Sequence, residues 1–505
     1  MTDQITRRDF LKLSGLLPLG LVAPRFVNSL NIQSKQQNIL IIVFDAFSAR
    51  NISLYGYQRE TMPNLARLAE RAIVYHNHYA GGNYTTPGTT SLLTGTLPWT
   101  HRAIRHNEVP DISFTTRNIF TAFQDYYKIA YTHNLWAYSV ISYLGSTVDN
   151  LVPIEKLLLT NNGIITRLFK EDRDIAEVSW VRTIKKKKEG FAYSLFLSHI
   201  YELYRELQVV NIQSRYPRGL PSILTDNYFL LEDAVDWLNN QLGNLPQPFI
   251  GYFHFWPPHA PYKTHRDFYR RFENDGFIPV DKPSYLPSKN KLSMLDERVE
   301  YDESILYVDR EFARLYDYLE KSGVLENTWV ILTSDHGEMF ERGIIGHSTP
   351  VLYEPIIRVP LLIFEPGRRN KTDIFARTSA IDILPTLLHI TEHQPQDWIE
   401  GRLLPPFDQT YRDSSRTIYA VEAKDNEKYG PLEQSTVALL KNEYKLIYYL
   451  GYRKYGGTGS GYVELYNIEN DPEELNDISS SRHEITAELL NELKQKLAEV
   501  DKPYI

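Results

Sequence analysis

The pattern of apolar positions begins with NILIIVFDA (residues 38–46), a continuous apolar run closed by Asp45. Such a run predicts a strand buried on both faces of a parallel sheet. TMPNLARLAERA (61–72) follows with helical spacing and a proline near its start. A second apolar run, TWVILTSDHGE (328–338), again closes on acidic residues, and VPLLIFEPG (359–367) supplies a third strand. Strands alternating with helical segments predict an α/β fold, a sheet covered by helices on both sides. Ligands of such sheets bind beyond the carboxyl ends of the strands, so Asp45 and Asp335 are expected to converge there. Either one alone could simply cap a strand-to-helix turn.

Between residues 138 and 240 the chain turns aromatic and helical, as in FAYSLFLSHIYELYRELQVV, which predicts a helical insert over about 140–240 that packs or forms a lid. From Arg416 the pattern changes to short alternating strands, RTIYAVEA, STVALLKNEYKLIYYL and YVELYNI, ending in a polar helix. A small antiparallel C-terminal subdomain is expected. The division is therefore 1–34, 35–410 and 411–505. No repeat or low-complexity segment interrupts it.

Composition narrows the chemistry. The chain has 505 residues, 42% of them hydrophobic, enough for a large core. Its net charge of −8 argues against a nucleic-acid partner, since affinity for phosphate backbones comes from clustered Lys and Arg. The one dense basic run, Lys185 to Lys188, reads as a solvated face. There is no cysteine, which excludes disulfides, thiolate ligands and a Cys nucleophile. Near the N-terminus, TRRDFLKLSGLLPLGLVAPRF pairs Arg7 and Arg8 ahead of an apolar stretch of about 13 residues, short of the ~20 that span a bilayer. This resembles a twin-arginine export signal. It implies the twin-arginine translocase as a partner and a periplasmic or extracellular location, with or without signal cleavage.

The stretch GGNYTTPGTTSLLTG (81–95) places Pro87 in the first turn of an expected helix and Thr86 at its cap. Thr85 would then stand just before the helix N-terminus, where backbone N–H groups favour an anion. A hydroxyl there serves either as nucleophile or as capping group.

Together with FHFWPPHAPY, the block TWVILTSDHGEMFERGIIGHSTPVLYEPIIRVPLLIFEPG and VELYNIENDPEELNDIS, these segments resemble the sulfatase family of the alkaline phosphatase superfamily from about residue 38 to 479. The resemblance implies a mixed, largely parallel sheet sandwiched by helices, with the small antiparallel C-terminal subdomain. It also implies one divalent metal ion held by Asp45, Asp335 and His336 beside the nucleophile. Where many relatives carry a second Asp, this chain has Ala46, and His336 brings a nitrogen donor. Both features favour Mn²⁺ or Zn²⁺, with Ca²⁺ the remaining alternative.

Setting Leu92 to Gly95 in register with the family's Leu-Leu-Thr-Gly puts Thr85 at the nucleophile and Thr89 where the family carries Arg. Thr cannot become formylglycine, so no formylglycine is expected. His259, His347 and His101 match family positions that contact the transferred group, protonate the leaving group or lie near the nucleophile.

The activity implied is hydrolysis of phosphate, phosphodiester or phosphonate esters through a covalent threonine intermediate. The alternatives are a sulfatase working without formylglycine, a phospho-alcohol transferase and a catalytically silent binding protein. The substrate is a small-molecule, glycan or lipid ester whose organic part the residues do not specify, and neither do they specify an oligomeric state.

Overall fold

The computed structural model describes residues 36–159, 192–223, 227–285, 291–408, 416–453 and 461–505. The Arg7-Arg8 pair, Lys185 to Lys188 and part of the helical insert lie outside the described residues. Gln36 to Ile505 form one compact unit.

In chain order the main elements are β1 (Asn38–Asp45), α1 (Pro63–Ala69), β2 (Ile73–Tyr79), α2 (Thr85–Thr94), β3 (Tyr127–Thr132), α3 (Leu135–Leu144), β4 (Asn150–Leu151), α4 (Ala192–Gln213), α5 (Leu231–Leu242) and β5 (Phe249–Pro258). Then come α6 (Lys291–Lys321), β6 (Thr328–Thr333), β7 (Met339–Glu341), β8 (Ile344–Gly346), β9 (Leu361–Phe364), β10 (Thr372–Ser379) and α7 (Ile383–Ile390). The C-terminal part holds β11 (Ile418–Glu422), β12 (Ser435–Lys441), β13 (Tyr444–Leu450), β14 (Tyr462–Asn467) and α8 (His483–Asp501).

Eight strands form the central sheet in the order β10-β2-β9-β6-β1-β5-β3-β4. β1 lies parallel to both its neighbours, β5 and β6. The exception to the parallel run is β9, antiparallel to β2 and β6, so VPLLIFEPG is a strand of opposite direction. The sheet is thus mixed and largely parallel, with helices on both faces.

Because side chains alternate across a strand, β1 divides its residues between two cores. Leu40, Ile42 and Phe44 pack with α5 and α6, through Leu231, Val235, Ile305 and Phe312. Ile39, Ile41 and Val43 pack with α2, α3 and α7, through Leu92, Leu93, Ile141 and Leu384. Both faces being covered explains why every residue of β1 is buried.

The same alternation aims the functional side chains. Asp45 continues the odd-numbered face of β1 toward α2, and in β5 His254 continues the face of Ile250 and Tyr252, which pack in that same core. β6 ends at Thr333, and Asp335 follows two residues beyond the strand rather than closing it.

β11 to β14 make a separate four-stranded antiparallel sheet. One face packs on Val351 to Ile357, the segment that follows His347, and the other on α8. Lys445 of β13, fully buried, pairs with Glu354 at 3.1 Å and Glu474 at 2.7 Å. Among the described residues no helix is long and apolar enough to cross a membrane.

Candidate active site

The site lies at the carboxyl ends of β1, β5 and β6, facing the first turn of α2. Thr85 is the first residue of α2, and Tyr84 is its N-cap, with φ −155°, ψ 173° and no side-chain cap. This corrects the expected register: Thr86 is not the cap, and its hydroxyl is buried without a protein partner. The helix starts two residues early because tertiary packing sets it against the sheet. At Gly88 a Cβ would meet the Asp335 carbonyl oxygen at 2.2 Å, so only a glycine permits this approach. Asn83, just ahead of the helix, donates Nδ2 to the carbonyls of His347 and Thr349, binding the two loops together.

Asp45, His254, Asp335 and His336 are all fully buried. His336 donates from Nδ1 to the Gly337 carbonyl at 2.9 Å, which fixes its tautomer and turns Nε2 inward. That Nε2 lies 3.3 Å from Asp45 Oδ1, 3.5 Å from Asp335 Oδ2 and 3.5 Å from Thr85 Oγ1. His254 Nε2 lies 3.6 Å from both Asp45 Oδ2 and Asp335 Oδ2. Asp45 Oδ1, Asp335 Oδ2 and both ring nitrogens of His254 have no hydrogen-bond partner in the protein. Buried polar atoms left in this way are costly.

The arrangement fits a divalent cation. Tetrahedral donors about 2.0–2.2 Å from an ion stand roughly 3.3–3.6 Å apart, the range in which these atoms lie. The imidazole nitrogens suit zinc or manganese better than calcium, which prefers oxygen.

Charge is arranged accordingly. Burial opposes ionisation of Asp45, but His259, His254 and His336 outweigh it and hold the carboxyl well below its usual range. Burial and the Asp45 charge push Asp335 up. Burial opposes the His336 cation, yet Asp335 and Asp45 lift it to about 9. Without a cation these groups retain a proton that a metal would displace.

Asn134 caps α3, accepting at Oδ1 from the backbone N–H of Trp136 at 2.8 Å and of Ala137 at 3.2 Å. This leaves Nδ2 to donate to Thr85 Oγ1 at 3.1 Å and to Asp45 Oδ2.

The remaining predicted residues divide. His347 sits against His336, ring centroids 4.2 Å apart, and its Nδ1 donates to Glu338 Oε1 at 2.9 Å. Burial lowers His347 to about 4 although Glu338 opposes the shift. His259, at the half-buried mouth, donates Nδ1 to the Ala260 carbonyl at 2.7 Å, and its ring lies 5.0 Å from that of His347. His101 is placed elsewhere. It contacts Ser91 Oγ at 3.2 Å and accepts from the Ala103 N–H at 3.1 Å, bracing α2 from behind. Burial pushes it down to about 3. Thr89 is buried on α2 without a protein partner for its hydroxyl.

Sequence reasoning missed His254 and Asn134. The signal for His254 was a lone imidazole inside the apolar strand FIGYFHFWPP. For Asn134 it was a capping residue directly after a strand.

The sulfatase family profile matches residues 37–393, and the C-terminal profile of N-sulphoglucosamine sulphohydrolase matches residues 347–503. The choline-sulfatase of Rhizobium meliloti is 24% identical over 478 residues, covering 88% of this chain and 82% of its own. The multifunctional alkaline phosphatase superfamily protein PehA of Trinickia caryophylli is 24% identical over 418 residues, 74% of this chain and 77% of its own. The phosphonate monoester hydrolase of Agrobacterium radiobacter has the same fold, with a TM-score of 0.62 at 17% identity over 93% of this chain and 96% of that one. Most of the chain matches the family profile across both sheets, and it therefore belongs to the sulfatase family, a hydrolase of sulfuric or phosphoric esters.

Proposed function

We propose that the chain is a metal-dependent hydrolase of phosphoric esters, phosphodiesters or phosphonate monoesters, working through a covalent intermediate on Thr85. The observation that carries this is the position of the Thr85 hydroxyl. It lies at a helix N-terminus, 3.5 Å from His336 Nε2 and within reach of the Asn134 amide.

Asp45, Asp335 and His336 would hold a divalent ion that supplies Lewis acidity, favouring the ionised hydroxyl and neutralising the transferred group. The residues do the rest. The Asn134 amide orients Oγ1 and stabilises its developing charge. Thr85 Oγ1 attacks phosphorus, its proton passes to Nε2 of His347, and the bond to the ester oxygen breaks. His259, at the mouth, gives a proton from Nε2 to the departing oxygen. In the second half water attacks phosphorus, yielding a proton to His259, while Thr85 leaves and recovers its proton from His347. The first turn of α2 favours the incoming anion, typically by about 0.3–1 kcal/mol.

Phosphorus is favoured over sulfur by the nucleophile itself. A formylglycine hydrate expels sulfate by collapsing to the aldehyde, an exit that an alkyl sulfate on Thr85 lacks. A phosphothreonine is open to attack at phosphorus. Kinship with choline-sulfatase supports the sulfuric-ester reading, which the same substrate panel tests.

Purified enzyme assayed on aryl phosphate, phosphodiester, phosphonate and sulfate esters is expected to prefer a phosphorus ester. Thr85→Ala should abolish turnover with fold and metal retained, and Thr85→Ser should keep part of it. Wild-type rates in Thr85→Ala would sink the proposal, and a clear preference for the sulfate ester would sink its phosphorus arm.

A further inference from the structure

The metal site has one more donor than the proposed set uses. His254 is fully buried on the strand beside β1, and neither of its ring nitrogens has a hydrogen-bond partner. A neutral imidazole always carries one N–H donor and one acceptor nitrogen. Leaving both unmet in the interior is costly unless something else occupies the lone pair. Its Nε2 lies 3.6 Å from a carboxylate oxygen of Asp45 and 3.6 Å from one of Asp335, and one oxygen of each carboxylate is likewise unpartnered. Asp45, His254 and Asp335 can all present ligand atoms within 4.8 Å of one another.

We propose that His254 is a direct ligand of the divalent ion, occupying through Nε2 the coordination position that Ala46 cannot fill. The inference rests on the metal-dependent reading above. Ala46 follows Asp45 in a left-handed conformation, φ 57°, and carries no donor on its side chain.

The donor set is then two carboxylates, two imidazoles and the Thr85 oxygen. Two nitrogens in place of one shift preference from calcium, which takes oxygen donors, toward zinc or manganese. The strand placement supports the assignment, because His254 is held by a rigid parallel ladder on both sides, against Val43 and Thr132. Rigid elements hold ligands to the tolerance a metal needs.

The test of the ligand counts nitrogens and measures affinity; turnover enters only to separate it from the nucleophile assignment. Wild-type protein loaded with Mn²⁺ should show two imidazole nitrogens in pulsed electron paramagnetic resonance. Loss of one group that hydrogen-bonds to a metal ligand costs about 10–100-fold in affinity, so His254→Ala should weaken Zn²⁺ binding at least that much in competition with a chelator. Ca²⁺ binding should change less, narrowing the zinc-to-calcium ratio. A single nitrogen coupling in the wild type would overturn the proposal, as would unchanged zinc affinity in a folded His254→Ala. If that variant does not fold, the wild-type nitrogen count decides. A wild type that binds no divalent ion would overturn the metal-dependent reading together with this one. Two nitrogens with full turnover in Thr85→Ala would instead overturn the nucleophile assignment alone.

Discussion

A single side chain, Asn134, joins helix capping to the proposed active site. Its Oδ1 caps α3 and its Nδ2 holds Thr85 and Asp45, so the two roles can be separated by substitution. Asn134→Ala removes both and should cost about 0.5–2 kcal/mol of stability from the lost cap. Asn134→Asp keeps an acceptor for the cap but replaces the donor with a charge facing Asp45. It should retain more of the stability, measured by denaturant unfolding, while losing roughly 10–100-fold in kcat, the usual effect of removing an outer-shell partner. An Asn134→Asp enzyme with normal turnover would show the amide to be a cap only. The residues legible in the pattern of apolar runs were Asp45 and Asp335, because strand ends of a parallel sheet are where polar groups converge; His336 was named only by the resemblance to the sulfatase family. His254 and Asn134 were not legible, since what brings them to the site is the order of strands, and no local pattern encodes that β5 lies beside β1.

Among elements, α2 shows where local propensity and packing compete. Thr, Pro and Gly chemistry predicts a helix capped by Thr86, whereas the observed start is set by contact of the first turn with the segment after β6. Gly88→Ala makes the competition measurable. Alanine favours a helix interior over glycine by about 0.8–1.0 kcal/mol. Against that, its Cβ would lie 2.2 Å from the Asp335 carbonyl oxygen, an overpacking of the kind that typically costs about 1–3 kcal/mol. Packing should win, giving a lower Tm and reduced turnover as α2 moves off the carboxylates. A higher Tm for Gly88→Ala would mean that the sheet and helix are free to separate. The strands themselves were readable from their apolar runs, but the reversed direction of β9 was not, because a buried strand has the same composition whichever way it runs.

For the molecule as a whole, buried neutral histidines set the response to acid. Burial lowers His78, His101 and His133 to about 3 and His347 to about 4. In the unfolded chain each takes up a proton near its ordinary value of about 6.5, so the unfolded state binds more protons below that pH. Their contribution to stability is complete above pH ~6.5 and is lost as pH falls toward 4, with a slope of up to about 1.4 kcal/mol per pH unit for each. Denaturant melts at pH 7.5, 6 and 5 should show falling midpoints. His336, lifted to about 9, and Asp233 and Asp309, lifted to about 6, act in the opposite direction, so the sharper check is ring by ring: an NMR titration in which these histidines take up a proton near pH 6.5 in the folded chain would contradict their burial.

The placement of β1 at the middle of the sheet has a consequence in time. Asn38 meets Phe249 and Thr328 across sequence separations of 211 and 290 residues. At a synthesis rate of about 5–20 residues per second, roughly 10–60 s pass before the neighbours of this apolar strand emerge from the ribosome. During that interval ILIIVF has no ladder to join and is the kind of segment that seeds aggregation. The carboxylate at its end cannot meet its companions until the interval has passed. Nascent chains ending before residue 328 should therefore neither bind metal nor remain dispersed without a chaperone, and folding yield will depend on how that half-minute is spent.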